Sequence, residues 1–588
     1  MNFFKNFLAS ILGTLTALGL FFTIILILIS ATASIIVSPS SVKSIKSNSV
    51  LDLNLNFPIT DRNPSFDELE MIFDLDNEVL GLPEILSAIN KAAENPDIKG
   101  IRLRSDFIPA GWSQTRSIRN ALLKFKEQGK FIYSYADFLT QKGYYLASVA
   151  DSIILNPVGV FEFKGLASEV LYYKDFQDQY GVKMEVVRHG KYKSAVEPYL
   201  ENEMSAANRF QISSLINDIW ETLRDEIAVE RNLNVETLDL LINEHKIGTP
   251  EDALIENLID GLGYEIDVKN LINIQLKQEE DEKVNFASVS SVNQSIPNYN
   301  KGIKDRIAVV FAKGPILYGE GTKSVIAQGV FVNTLKELAD DDWIKAIVLR
   351  IDSPGGSALT SELLWKTIEE VKKTKPVLVS IGNVAASGGY YIASGADQIF
   401  ADPLSITGSI GVFASLPNLG GLANNMGINA ETVETHPDAI GYSIFQPMSD
   451  TFKKQTKKSI ESTYITFKKR VSEGRKLSET VVENIAQGRV WTGKQALEVG
   501  LVDSIGGLQD TIEAAARLVG VENYNIMEYP KFEQSLSSLL TSIQISIGLD
   551  NLFNIFLSNS KHLELIKLTE KNLAEYLQLA LPFEIKIH

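Results

Sequence analysis

The chain has 588 residues, with 56 basic and 73 acidic side chains, a net charge of −17, and no cysteine. That length exceeds one ordinary hydrophobic core, so two or more domains are expected. The acidity argues against a nucleic-acid partner, which needs a basic face, and the missing cysteines exclude disulfides, thiolate catalysis and cysteine-held metals. The five histidines form neither HExxH nor HxxxH, so no metal site is expected.

In chain order, the first feature is an uncharged apolar run, Phe7–Ile29, preceded by Lys5. It is long enough to cross a bilayer as a helix. The positive charge before it places the N-terminus in the cytoplasm and the rest of the chain on the far side. Ala31-Thr32-Ala33 resembles a leader-processing site, but the run exceeds a leader's apolar core, which favours an uncleaved anchor. Residues 1–46 are read as this anchor.

The remainder is an internal duplication. Asp97–Arg104 (DIKGIRLR) is echoed by Trp343–Arg350 (WIKAIVLR), and Gly143–Pro157 (GYYLASVADSIILNP) by Gly389–Pro403 (GYYIASGADQIFADP), both at an offset of 246 residues. Gly181 and Gly427 keep that spacing, and Asp252–Gly261 matches Gln495–Ser504 at 243. Two homologous domains are expected, 47–275 and 306–530, joined by a polar connection, 276–305. A helical tail, 531–588, is expected to pack on a neighbouring domain or subunit rather than lie on a membrane. Within the second domain, IAVVFA (307–312), AIVLRID (346–352) and PVLVSIG (376–382) read as buried strands alternating with helices. The expected fold is α/β, with mostly parallel sheets, right-handed crossovers and helices on both faces.

The duplication serves as an internal control. Ser387, in Val384–Asp397 (VAASGGYYIASGAD), corresponds to Gln141, and Gly388 to Lys142. The glycine turn Asp352–Ser357 (DSPGGS) corresponds to Asp106–Gly111 (DFIPAG). Conversely, Arg188–Pro198 (RHGKYKSAVEP) exists only in the first half, where Lys193 and Lys191 correspond to Ala439 and Pro437. Shared features are scaffold, and features of one half are functional candidates. The chemistry of such a set is coherent. A neutral lysine serves as general base to a serine once burial lowers its pKa from ~10.4. Gly355 and Gly356 can expose backbone N–H groups to an oxyanion, and Gly388, at a helix start, can add another.

Together, DSPGGS, VAASGGYYIAS, DPLSITGSIGV (402–412) and GKYKSAVEP resemble the signal peptide peptidase A (protease IV) family in its long, duplicated form, within the Clp-protease/crotonase superfamily. The resemblance spans nearly the whole chain. It implies two tandem Clp/crotonase-like domains, Ser387 as nucleophile and Lys193 as general base. It also implies that Ser409 orients the lysine and that Gly355 and Gly356 shape the oxyanion hole. Lys191 is the less suitable lysine, and His189 is read as a loop residue. The implied protein is a homotetrameric peptidase of the bacterial inner membrane. Its catalytic domains are periplasmic, it acts on signal peptides and other hydrophobic peptides, and it needs no cofactor. The alternatives are a crotonase-like acyl-CoA hydratase or isomerase, which needs a carboxylate base, and a non-catalytic membrane scaffold.

Overall fold

The computed structural model describes residues 45–63, 80–279, 282–295, 302–532 and 578–580, with isolated positions between 5 and 23. The expected span 7–29 lies largely outside the described residues, as does most of the tail. Among the described residues, no helix is long and apolar enough to cross a membrane.

The first half forms β1 (Ser49–Asn54), β2 (Ile98–Arg104), β3 (Phe131–Leu139), β4 (Ser152–Phe161), β5 (Lys183–His189), β6 (Gly261–Leu262) and β7 (Asn285–Ala287). All except β5 make one parallel sheet in the order β6-β4-β3-β2-β1-β7. The second half forms β8 (Arg306–Lys313), β9 (Ile344–Ser353), β10 (Gly355–Ser357), β11 (Val377–Ala386), β12 (Gln398–Ala401) and β13 (Ile406–Gly408). It continues with β14 (Val412–Asn418), β15 (Val490–Thr492), β16 (Ser504–Ile505) and β17 (Asn525–Tyr529), and β18 (Gln578–Ala580) comes last.

The order β16-β12-β11-β9-β8-β17 repeats the first sheet strand for strand, again parallel. The duplication read from sequence is therefore a duplication of fold. Ile307, Val309, Ile347 and Val348 are buried, and separate apolar clusters cover the two faces of this sheet. Burial on both faces is why these strands read as continuous apolar runs rather than alternating ones. β13 repeats the end of β4, with Val384↔Ile406 matching Phe138↔Val160, and carries β15 antiparallel on its far edge.

Two departures from the sequence reading bear on the site. Residues 285–295, read as connection, fold onto the first half. There β7 pairs with β1, and Val289 and Val292 of helix Val289–Ser295 enter the first core. A few well-spaced apolar residues in a polar stretch suffice for this. Second, β5 leaves its own half and pairs antiparallel with β14, from His189↔Val412 to Lys183↔Asn418. With β10 and β18 these strands form a small sheet, β10-β18-β14-β5. The first-half counterpart of β14, 166–172, and the second-half counterpart of β5, 429–435, carry no strand.

The halves are locked by a buried ion pair. Arg350 on β9 donates from Nε to Asp61 Oδ2 (2.7 Å) and from a terminal nitrogen to Oδ1 (2.8 Å). Burial pushes the Asp61 carboxyl up, and the charge and hydrogen bonds of Arg350 outweigh it, leaving the group below its ordinary value. Arg116 also reaches Asp402 (3.1 Å), and Val490 N–H donates to Gln211 Oε1 (3.0 Å).

Candidate active site

Ser387 stands between β11 and helix Gly388–Ala393. Its backbone is at φ +55°, ψ −113°, a region a non-glycine residue enters at a cost of about 1–3 kcal/mol. The surroundings enforce it. Ser387 N–H donates to Gly408 O (2.8 Å), and Ser387 O accepts from Tyr391 N–H (2.8 Å). With its main chain so occupied, the side chain is left to project from a sharp strand-to-helix turn, the geometry of a nucleophile elbow. Gly388 follows because nothing larger fits: a Cβ there would lie 2.7 Å from Ser361 Oγ and 3.2 Å from Gly356 N.

Lys193 arrives from the first half. It sits in the loop after β5, whose pairing with β14 carries it 194 residues along the chain to the serine. The loop is pinned by Tyr192 N–H to Gln487 O (2.8 Å) and by Gln211 Nε2 to Ser194 Oγ (3.2 Å). Lys193 Nζ and Ser387 Oγ are joined by a hydrogen bond of 2.7 Å. The same nitrogen donates to Ser409 Oγ (3.0 Å) and Ser409 O (3.2 Å). Lys193, Ser387 and Ser409 are all fully buried. Burial holds the lysine amine well below its ordinary value of 10.5, because a charged ammonium loses its hydration there. A neutral amine in hydrogen-bond contact with a hydroxyl can take its proton.

The glycine turn lies beside this pair. Gly355 and Gly356 are at φ +99° and +154°, and a Cβ on Gly356 would lie 2.0 Å from Ile316 O. The expected roles of the two differ in the structure. Gly355 N–H donates to Ser353 Oγ (3.1 Å), which braces the turn, whereas Gly356 faces Gly388. A short side-chain acceptor two residues upstream competes for the first N–H, a local effect that spacing does not reveal.

Of the other candidates, Lys191 is exposed and its amine lies over the Tyr192 ring. His189 ends β5 rather than lying in a loop, and its ring packs on Tyr464 at 4.3 Å. In the first half, Gln141 at the serine's counterpart accepts from Lys164 and Gly165 N–H, and Lys142 donates to Ala110 O (2.6 Å). Hydrogen-bonded side chains thus fill the first half where the second holds Ser387 and Gly388. Sequence reasoning missed Gly488, at φ +81°, where a Cβ would lie 2.6 Å from Lys193 N. Its counterpart at the 243 offset is His245, so the half-against-half comparison carried the signal.

A serine elbow, a buried lysine in contact with it and a glycine turn, set on tandem parallel sheets, are the parts of a serine peptidase. The sequence model of peptidase family S49 matches residues 124–279 and again 369–522. Protease 4 of Haemophilus influenzae is 34% identical over 480 residues, covering 78% of this chain and 77% of that one. Protease 4 of Salmonella typhi is 33% identical over 475 residues, 79% of this chain and 76% of that one. The chloroplastic serine protease SPPA of Arabidopsis thaliana is 30% identical over 521 residues, 86% and 75% respectively. The chain belongs to peptidase family S49, and the two matched segments fall one in each half of the duplication.

Proposed function

We propose that the chain is an endopeptidase that degrades cleaved signal peptides and other hydrophobic peptides with a Ser387–Lys193 dyad. The observation that carries this is the 2.7 Å hydrogen bond between a fully buried lysine, whose amine burial holds well below its ordinary value, and a serine on a strained elbow. An extended peptide adds as a strand beside β10. Lys193 takes the Ser387 proton as Oγ attacks the carbonyl. Gly356 and Gly388 N–H groups receive the developing oxyanion. Lys193 then protonates the leaving amine, and water, activated the same way, releases the acyl group. Ser409 orients the amine. The hydratase alternative is set aside by the family match, and the scaffold alternative by the family match together with the intact pair.

The reading extends to a homotetramer anchored by residues 7–29, with the catalytic domains on the periplasmic side. Support for association comes from comparing the halves. Leu404 and Ile406 of the second half enter the first core, next to helix Trp112–Glu127. Their counterparts Val158 and Val160 are 89% and 57% exposed, and that helix's counterpart exposes Leu359 and Leu363. Each end of the chain thus presents half of a joint already made once inside it, which fits head-to-tail copies closing a ring.

The test is cleavage of an apolar quenched peptide. Ser387→Ala and Lys193→Ala should each abolish turnover and leave the circular dichroism spectrum unchanged. Full turnover by folded Lys193→Ala would remove the dyad. Light scattering should give four copies, and Val160→Asp should lower that number.

A further inference from the structure

The loop that carries Lys193 is clasped by one short segment of the other half, Gln487–Arg489. Gln487 O accepts from Tyr192 N–H (2.8 Å), and its side-chain Oε1 accepts from Lys191 N–H (3.1 Å). A single residue thus holds the two backbone N–H groups that precede the lysine. The approach is close: a Cβ on Gly190, at φ +112°, would lie 2.6 Å from Gln487 O. The same segment holds the turn of Ser409, because Gly488 N–H donates to Ile410 O and Arg489 O accepts from Ser409 N–H (2.7 Å each). Lys193 and its hydrogen-bond partner Ser409 are therefore registered against one tripeptide.

The clasp is itself held in an unfavourable shape. Gln487 stands at φ +58°, in the left-handed region that residues with a Cβ disfavour. Its N–H donates to Tyr464 Oη (3.2 Å), on helix Asp450–Arg475, and its Nε2 donates to Glu483, on helix Glu479–Ile485. Glu483 also accepts from Lys468 and from the Tyr464 hydroxyl (3.3 Å to each oxygen). Burial pushes the Glu483 carboxyl up, and the hydrogen bonds of Lys468 and Gln487 outweigh it, leaving the group below its ordinary value. The anchor is thus a carboxylate at neutral pH. Its partner Tyr464 packs on His189, the last residue of β5. The first half has no such clasp: Glu244, the counterpart of Gln487 at the 243 offset, stands at φ −90° and pairs with Lys246 (2.6 Å) on the surface.

We infer that Gln487 is a positioning residue for the dyad: it fixes the Lys193 loop to the Ser409 turn, and Glu483 and Tyr464 hold it in the shape that does so. The inference rests on the dyad reading. A loosened clasp lets Nζ drift from Ser387 Oγ, which slows the proton transfer. It also lets water reach the amine, which moves its pKa back toward 10.5. KM is spared, because the proposed peptide lane runs beside β10 and Gln487 holds the lysine loop instead.

Gln487→Gly tests this in the full chain, because it removes the side chain while easing the left-handed backbone. A merely structural residue would then leave both fold and kinetics intact. On an apolar quenched peptide, Gln487→Gly should lower kcat about tenfold, the equivalent of one hydrogen bond, with KM unchanged and thermal stability at or above that of wild type. The pH midpoint for fluorophosphonate labelling of Ser387 should move upward. Gln487→Glu sets two carboxylates together and should also lose kcat, and adding Glu483→Gln exchanges donor and acceptor and should recover most of it. A wild-type kcat or an unmoved labelling midpoint in folded Gln487→Gly overturns the inference and leaves the peptidase reading standing, as does a double variant no faster than Gln487→Glu. Absence of cleavage by the wild-type chain overturns the peptidase reading, and the inference with it.

Discussion

Gly488→Ala should disable the enzyme without unfolding it. Gly488 lies in the loop that cradles the lysine, and its N–H donates to Ile410 O (2.7 Å) next to Ser409. A Cβ there would stand 2.6 Å from Lys193 N and 2.7 Å from its Cα and Cβ, where ordinary contact begins at 3.4 Å. Because N and Cα are backbone atoms that cannot swing aside, Lys193 must retreat by about 0.8 Å. Misplacement of a catalytic group on the order of 1 Å costs roughly 100-fold in rate. The left-handed backbone adds a local cost of about 1–2 kcal/mol, small for two large cores. The assay is kcat on the quenched peptide beside thermal unfolding. A fall in kcat of about two decades with a near-normal melting temperature is expected. Wild-type kcat in a folded Gly488→Ala protein would refute the claim that this loop sets the lysine's position.

Three other outcomes follow from the same geometry. Ser409→Ala removes one of the hydrogen bonds on Lys193 Nζ and should lower kcat by about tenfold, the equivalent of one such bond; unchanged kcat would deny it an orienting role. Asp61→Ala strands the buried Arg350 guanidinium and should cost about 3–5 kcal/mol in urea unfolding, whereas Asp61→Leu with Arg350→Met should recover much of it; a small loss in the single variant would show that the halves do not depend on the pair. Burial, aided by the Asp61 charge and opposed by Arg350, pushes the Asp352 carboxyl up from 3.8 to about 6. Folding therefore takes up a proton between those values, and stability falls as pH rises through them. Asp352→Asn should gain up to about 3 kcal/mol over wild type between pH 4 and pH 7, and an equal difference at both pH values would contradict this.

Much of the architecture was legible because the chain contains its own comparison. The repeated GYY-containing segment and the repeated Ile-Lys strand marked two sheets of one design. The residues present in only one half, Ser387 and Lys193, marked the site. Other features were hidden for physical reasons. The departure of β5 to join β14 is a long-range pairing, and its seven residues read the same whichever sheet receives them. The role of Gly488 depends on a backbone angle and a neighbour almost 300 residues away in sequence. The division of labour between Gly355 and Gly356 turns on one local hydrogen bond to Ser353. β7 and β18 are three residues each, too short for a period that sets a strand apart from a linker or a helix.

The central claim is that Lys193 acts as a neutral base on Ser387. The rate at which a fluorophosphonate modifies Ser387, measured against pH in wild type and Lys193→Ala, tests it most directly. A base must be unprotonated, so reactivity should be present above the pKa of Lys193 and lost as pH falls through it. That midpoint should lie well below the 10.5 of a free lysine, and folded Lys193→Ala should show no such limb and almost no labelling. Labelling of Lys193→Ala at the wild-type rate, with the same pH profile, would contradict the account.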